Sequence, residues 1–313
     1  MLDQVREQDE AVAFLRKVVA GNLNCPLLLL GREGVGRRYS VIEAAREEFS
    51  REAESNPGYN AQIDNGSHPD LLVLRNEPIN IEAIRGLIEQ TQFMPMLASS
   101  RYVVIDNADT MTAPASDAFL KVLEEPPRKT RFFLLAKDSS QISSTIRSRC
   151  GLIRYRALSE EFVASCLVAH VDDPGKSLVY ARLSEGSIGL ALQLLGSGCL
   201  TLRNSVLDLL KVGLAKDLST LFSLVDEIES ELDLALRFLE HILKDLILVR
   251  FAGAEVKASN LDILEDLGVL GANLGSKLDA LVTGLSALQR RRSGTINLSF
   301  HLKSYLASVF FSE

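Results

Sequence analysis

The segment GREGVGRR has the glycine spacing of a phosphate-binding loop, G-x-x-x-x-G-K-[ST]. In such a loop backbone N–H groups hold the phosphates, the lysine reaches the β and γ oxygens, and the hydroxyl binds magnesium. The glycines are retained, at Gly31, Gly34 and Gly36. Arg37 stands at the lysine position and Arg38, which cannot ligate a cation, at the hydroxyl position. The segment predicts either a degenerate nucleotide site or a glycine-rich turn without a ligand.

A second segment, VVIDNADTM, places Asp106 directly after a strand-forming run. An aspartate at such a strand end holds magnesium in nucleotide hydrolases, and a neighbouring acid then orients the attacking water. The next residue here is Asn107, whose amide offers no basic oxygen. The alternative for Asp106 and Asp109 is that each caps a helix amino terminus, and the missing lysine and hydroxyl favour it. The sequence predicts that the reaction is absent.

The third segment, QISSTIRSRCG, carries Arg147 and Arg149 among serines and a glycine. One interpretation is a solvated basic turn. The other is an arginine supplied to the γ-phosphate of a neighbouring subunit, where it would stabilise transition-state charge. Composition does not choose between them.

Buried-strand and helix signals alternate through the first half of the chain. Strands are predicted at residues 26–30, 71–74, 102–105 and 132–135, and helices at 9–19, 40–54, 81–92 and 115–124, with a loop at 55–70. This alternation predicts a parallel sheet covered on both faces, with ligands at the carboxyl ends of its strands, where Gly31 and Asp106 fall. From Ser159 onward the pattern is helical, with apolar stripes at residues 235–246 and 298–309.

Length and charge limit the function classes. A chain of 313 residues predicts two or three domains. The net charge of −7 argues against a protein that binds duplex DNA alone, because phosphate neutralisation dominates such affinity. The four cysteines are far apart in sequence and form no C-x-x-C pair, so we expect reduced thiols rather than a disulfide or zinc site. No apolar run approaches 18 residues and the amino terminus is charged, so we expect a cytoplasmic protein.

Several segments together resemble the clamp-loader branch of the AAA+ proteins, and in particular the delta-prime subunits of bacterial DNA polymerase III. The segments are VREQDEAVAFL (5–15), GREGVGRR (31–38), HPDLLVL (68–74), INIEAIRGLIE (79–89), VVIDNADTM (103–111), FLKVLEEPP (119–127), TIRSRCG (145–151) and INLSFHLKSYL (296–306). The resemblance covers most of the chain, and LEEPP followed by S-R-C is its most specific combination.

The resemblance implies three domains: a RecA-like AAA+ domain over 1–157, a small helical lid over 158–202 and an all-α collar over 203–313. It also implies that Arg149, in the S-R-C motif, is an arginine finger on an adjacent subunit's ATP. Delta-prime subunits resemble ATPases but do not bind or hydrolyse ATP productively, which agrees with Arg37, Arg38 and Asn107. Gly189 stands where hydrolysing relatives carry a sensor arginine.

The resulting hypothesis is a non-hydrolysing clamp-loader subunit that uses no cofactor. Many members of the family have a four-cysteine zinc module, but residues 50–67 contain no cysteine, so no zinc is expected. The implied partners are the ATPase subunits (gamma/tau) and the delta subunit in a hetero-oligomeric ring, with the sliding clamp and primed DNA bound by the complex. The rival hypothesis is an active clamp-loader ATPase in which Arg37 replaces the lysine.

Overall fold

The computed structural model describes residues 1–23, 25–53, 58–171, 173–196, 198–252, 258–290 and 297–311. These residues form two compact units. The first contains residues 1–159 and the short segment Ser187–Gly189, and the second contains residues 160–186 and 190–313. The predicted division into three domains at 157 and 202 stays a prediction.

The first unit is built on a parallel sheet of five strands. The strands are β1 Leu27–Leu30, β2 Leu71–Leu74, β3 Arg101–Ile105, β4 Thr130–Ala136 and β5 Gly151–Arg154. Their spatial order is β2-β3-β4-β1-β5, and every neighbouring pair is parallel. Six helices belong to this unit: α1 Asp9–Val19, α2 Arg37–Ala53, α3 Tyr59–Asp64, α4 Ile81–Thr91, α5 Ala113–Glu124 and α6 Ser144–Arg147. The predicted α/β class with a parallel sheet is confirmed.

Both faces of the sheet are buried, which explains the continuous apolar runs in its strands. Because side chains alternate along a strand, Leu27 and Leu29 of β1 belong to one core and Leu28 and Leu30 to the other. All four are buried. Burial of one leucine side chain contributes roughly 1.5–3 kcal/mol, so β1 alone is a large part of the force that holds the sheet together.

Two elements differ from the sequence-based expectation. Strand β5 was not predicted, because GLIR is short and lies at the edge of the sheet, where only Ile153 is fully buried. Helix α3 lies inside the segment expected to be a loop, where Tyr59 and Ile63 are buried and anchor it. The predicted helices at residues 81–92 and 115–124 are confirmed as α4 and α5.

The second unit is helical. Its helices are α7 Glu160–Leu167, α8 Pro174–Leu183, α9 Ile188–Gly196, α10 Cys199–Leu214, α11 Leu218–Glu227, α12 Leu232–Ala252, α13 Leu264–Leu274, α14 Lys277–Arg290 and α15 Leu298–Phe311. Helix α12 packs on α10, α13 and α14, and α15 packs on α10, α11 and α14. The stripe predicted at residues 235–246 is buried in these contacts. No helix among the described residues is long and apolar enough to span a membrane.

A buried ion pair fixes the start of β2 and β3. The Asp70 carboxylate accepts hydrogen bonds from the backbone N–H groups of Met96, Leu97 and Ala98, at 2.7–3.0 Å, and from Arg101 Nη2 at 3.2 Å. Both charged side chains are almost fully buried. Burial by itself raises the pKa of Asp70, but these hydrogen bonds outweigh it, and the pKa lies below its ordinary value.

We predict that Asp70→Asn lowers the free energy of unfolding by about 3 kcal/mol at neutral pH, because it leaves the Arg101 charge buried without its partner. Urea unfolding of the full chain measures the difference. Since the native pKa is lowered, the stabilisation is present above the ordinary aspartate pKa of about 3.9 and is lost as the pH falls through the native value.

The deficit of the Asp70→Asn variant should therefore shrink in acid. Asp64→Asn is the control, since this carboxylate pairs with Arg46 at the surface and its loss should cost about 1 kcal/mol or less. A deficit for Asp70→Asn that stays the same at acid pH would contradict the assignment.

Candidate functional site

The glycine-rich loop keeps the conformation of a strand-to-helix turn. It connects β1, which ends at Leu30, to α2, which begins at Arg37. Gly34 and Gly36 have φ angles of +75° and +99°, in the left-handed region that favours glycine. Gly31 N–H donates to the Ala136 carbonyl at 3.2 Å, which ties the loop to the carboxyl end of β4. The backbone therefore retains the geometry that the glycine spacing predicts.

A second backbone segment lies directly against this loop. Gly189 N–H donates to the Gly34 carbonyl at 3.2 Å, and the Ser187 hydroxyl donates to the Glu33 carbonyl at 2.8 Å. A Cβ on Gly34 would come within 2.2 Å of Ser187 Oγ and 2.8 Å of Gly189 N, and one on Gly189 would come within 2.8 Å of Gly34 Cα. The sequence analysis noted Gly189 because it stands where hydrolysing relatives carry an arginine, but it did not predict this contact.

Arg37 is buried, at 5% exposure, and its Nη1 has no hydrogen-bond partner among the described residues. Burial lowers the pKa of its guanidinium, and the nearby carboxylates of Asp106, Asp109 and Glu33 oppose that shift. The residue at the lysine position is thus a buried cation that is compensated by acidic neighbours. Its planar head cannot reproduce the compact ammonium group of a lysine.

Arg38 forms an ion pair with Asp106, the aspartate at the end of β3. Arg38 Nη1 lies 3.0 Å from Asp106 Oδ2, and the other carboxylate oxygen accepts the Asn107 N–H at 3.1 Å. The Asp106 side chain is only 15% exposed. The guanidinium of Arg38 therefore stands against the carboxylate that would face magnesium in a hydrolase, and both carboxylate oxygens already have donors.

The expectation that Asp106 and Asp109 cap a helix is wrong. The short 3₁₀ turn Ala108–Thr110 begins after Asn107, which has a left-handed φ of +52°. Asp109 instead accepts the Lys137 N–H at 3.0 Å, and its other oxygen is buried without a hydrogen-bond partner among the described residues. Asp109 therefore links the end of β3 to the end of β4, a long-range contact that local sequence does not reveal.

Arg149 lies at the amino ends of the strands, whereas the loop and Asp106 lie at their carboxyl ends. It precedes β5, which runs parallel to β1 with Gly151 beside Leu27, the first residue of β1. Arg149 is therefore at the amino ends of the strands, whereas Gly31 and Asp106 follow the carboxyl ends of β1 and β3. The sequence-predicted site residues thus form two groups, the loop with Asp106 and the separate Arg149.

Arg149 is held at the surface by its own unit. Its Nε and Nη2 donate to Glu124 Oε1 at 3.0 and 2.5 Å, and its Nη1 donates to the Thr145 carbonyl at 3.0 Å. The Arg149 side chain is 36% exposed. Arg147, the other arginine of the segment, donates to the Ser139 carbonyl at 3.1 Å. Sequence reasoning found Arg149 but not its carboxylate partner in LEEPP.

The described residues contain no cluster of histidine, cysteine, aspartate and glutamate side chains that could hold a metal ion. The cysteines are free thiols. Cys150, next to Arg149, is partly buried, and burial raises the pKa of its thiol to about 12. It is therefore a neutral thiol at physiological pH and is no candidate nucleophile.

The sheet unit is similar to subunits of DNA polymerase III. Residues 7–159 match the family model described as DNA polymerase III, delta subunit. The delta-prime subunit of DNA polymerase III from Escherichia coli is 34% identical over 134 residues, which are 41% of this chain and 40% of that protein. Residues 7–159 therefore resemble the delta-prime subunits of bacterial DNA polymerase III. This region contains the loop, Asp106 and Arg149.

Relatives outside bacteria also match. The replication factor C small subunit of Methanosarcina barkeri is 30% identical over 203 residues, covering 61% of this chain and 56% of that protein. The chain thus spans about half the length of the curated relatives it matches. A DNA polymerase III gamma subunit-related protein from Thermotoga maritima shares the fold, with a TM-score of 0.54, 21% identity and coverage of 97% of this chain and 99% of that chain.

The contact between Gly34 and Gly189 yields a test with a matched control. Both Gly34→Ala and Gly36→Ala place a Cβ on a residue with positive φ, but only the Gly34 Cβ meets other atoms, since nothing lies within 4 Å of a Cβ on Gly36. We predict that Gly34→Ala is less stable than Gly36→Ala by about 1–3 kcal/mol, measured by urea unfolding. Equal stability of the two variants would show that the Ser187–Gly189 segment does not rest on the loop.

Proposed function

We propose that the chain is a clamp-loader subunit that does not itself hydrolyse ATP and that supplies Arg149 to the ATP site of a neighbouring subunit. Its partners would be gamma/tau-type ATPase subunits and a delta subunit in a cytoplasmic ring. The sliding clamp and primed DNA would be bound by the assembled ring. The similarity of residues 7–159 to delta-prime subunits of DNA polymerase III supports the role in DNA replication.

The ion pair between Arg38 and Asp106 is the observation that carries the proposal. Magnesium-dependent hydrolysis needs a hydroxyl at position 38 and a carboxylate free to hold the metal and its water. Arg38 replaces the hydroxyl. Its fixed positive charge also occupies the carboxylate, because Arg38 Nη1 lies 3.0 Å from Asp106 Oδ2. The same side chain therefore substitutes electrostatically for the cation that the reaction would require.

The position of Arg149 supports action on a neighbour. It lies at the edge of the sheet opposite to the loop of its own chain, so it cannot serve that loop as a finger without a large rearrangement. It is partly exposed and its guanidinium is fixed by hydrogen bonds. An exposed and oriented guanidinium is suited to bind a phosphate oxygen of another subunit.

One observation favours the rival function, an active AAA+ ATPase in which Arg37 replaces lysine. Arg37 Nη1 is buried and has no acceptor among the described residues, and a phosphate oxygen would satisfy it. The two functions differ in one measurable property, which is magnesium-dependent binding of nucleotide by the isolated chain.

We predict that the wild-type chain shows no saturable binding of a fluorescent ATP analogue with magnesium at high micromolar concentration. The double variant Arg37→Lys, Arg38→Thr restores the ammonium group and the hydroxyl and releases Asp106, so its affinity should rise by about tenfold or more, as expected for a new charge-assisted contact.

Adding Asp106→Asn to the double variant is the control, and it should abolish the gain because it removes the magnesium ligand. Tight magnesium-dependent binding by the wild type would instead support the ATPase. A double variant without any gain would show that the Arg38–Asp106 pair is not what prevents binding.

We predict that Arg149→Ala slows ATP turnover of the ring reconstituted with its ATPase subunits, clamp and primed DNA, and leaves assembly intact. A finger arginine raises kcat on the order of a thousandfold at the site it serves. Its loss should therefore remove roughly the contribution of that one site to the ATP turnover of the ring. Arg147→Ala is the matched control, two residues away, and should behave as the wild type. Turnover that is unchanged by Arg149→Ala would remove the finger assignment.

A further inference from the structure

We infer that Glu124 is a positioning residue for Arg149, which it holds with one edge of its guanidinium turned outward. The inference rests on the proposed function and concerns how the same arginine is kept ready for a neighbouring subunit's phosphate. Its basis is how the hydrogen bonds of Arg149 are distributed around the guanidinium.

A guanidinium has five N–H groups in one plane. In Arg149 the Nε N–H and one N–H of Nη2 both donate to a single oxygen of Glu124, Oε1. Two N–H groups of a planar guanidinium reach one acceptor only when they are parallel neighbours, so Glu124 occupies the edge formed by Nε and Nη2. The second N–H of Nη2 then lies on the other edge, the one formed by Nη1 and Nη2.

The second edge, formed by Nη1 and Nη2, is only partly occupied. Nη1 donates to the Thr145 carbonyl at 3.0 Å and makes only a long contact, 3.4 Å, with the Ser148 hydroxyl. The remaining N–H of Nη2 has no acceptor among the described residues. The Nη1–Nη2 edge thus keeps one N–H without an acceptor among the described residues, beside Nη1, which donates to Thr145. Paired N–H groups on one guanidinium edge are the arrangement that binds two oxygens of a phosphate.

Two separate elements hold the arginine. Glu124 is the last residue of α5, and the helix ends there because Glu125, which precedes Pro126, has a ψ of 73°, outside the helical range. Thr145 belongs to α6. The grip therefore depends on α5 and α6 together, and the arginine is not free to sample the many rotamers of an exposed side chain.

Stability is not the purpose of this contact. Both side chains are substantially exposed, 36% for Arg149 and 52% for Glu124, and an ion pair in such surroundings contributes little to folding. Orientation is a different matter, because immobilising a flexible side chain before it binds removes an entropic cost from the binding step. The substitution Glu124→Gln would preserve that orientation, since the amide oxygen of a glutamine can accept the same two hydrogen bonds.

The test compares Glu124→Ala, Glu124→Gln and Arg149→Ala in the full chain, reconstituted with its ATPase subunits, clamp and primed DNA. At the one site that Arg149 serves, we expect Glu124→Ala to lower the rate of ATP hydrolysis by about threefold to tenfold, the cost of ordering one long side chain. Turnover of the ring should therefore fall toward that of Arg149→Ala, with KM unchanged. Glu124→Gln should turn over ATP at the rate of the wild type. Glu125→Ala is the matched control, since it changes the neighbouring exposed glutamate of the same motif.

The double variant Glu124→Ala, Arg149→Ala should be no slower than Arg149→Ala, because Glu124 acts only through the arginine. Three results would overturn the inference while Arg149→Ala remains slow: unchanged kcat in Glu124→Ala, faster turnover in Glu124→Ala, or Glu124→Gln as slow as Glu124→Ala. If Arg149→Ala itself were unchanged, the proposed function would fail first. The two failures are therefore distinguishable.

Discussion

The parallel pairing of β1 with β4 on one side and β5 on the other is the constraint on which the rest of the sheet unit depends. In a parallel sheet all carboxyl ends lie at one edge, so the glycine loop after β1 and Asp106 after β3 are brought together without being close in sequence. The same pairing puts the segment before β5, with Arg149, at the other edge. The register of β1 with β5 thus places the glycine loop and Arg149 at opposite ends of the strands, so that Arg149 lies away from the loop of its own chain.

Charge explains why the loop is retained as structure. In a hydrolase the negative charge of the strand-end aspartate is balanced by magnesium. Here it is balanced by an ion pair with Arg38, a side chain of the same protein. The Gly34 carbonyl in turn accepts a hydrogen bond from Gly189 N–H, and neither residue has room for a Cβ. Residues that would contact a nucleotide in a hydrolase therefore contact other residues of the same unit here, and these contacts stabilise it. Arg37, buried beside three carboxylates, is the exception, since one of its nitrogens has no partner among the described residues.

The sequence predicted the elements whose signal is local. Strands β1 to β4 contain continuous apolar runs, and α4 and α5 have clear helical periodicity, so these elements were recognised. Strand β5 was missed because an edge strand with one fully buried residue resembles a loop. The capping of helices by Asp106 and Asp109 was a reasonable local expectation, but it was wrong because their partners, Arg38 and Lys137, are far away along the chain.

Which chemical groups are present can be read from the amino-acid sequence alone: the glycines, the two arginines in place of lysine and hydroxyl, the amide at Asn107 and the S-R-C arginine. Residue identity is enough to remove a metal ligand. Which of these groups meet follows from the folded chain, where Arg38 contacts Asp106, Gly34 contacts Gly189 and Arg149 contacts Glu124. The physical reason is that each pairing joins residues 25 or more positions apart, and such contacts follow from strand order and packing rather than from any local pattern.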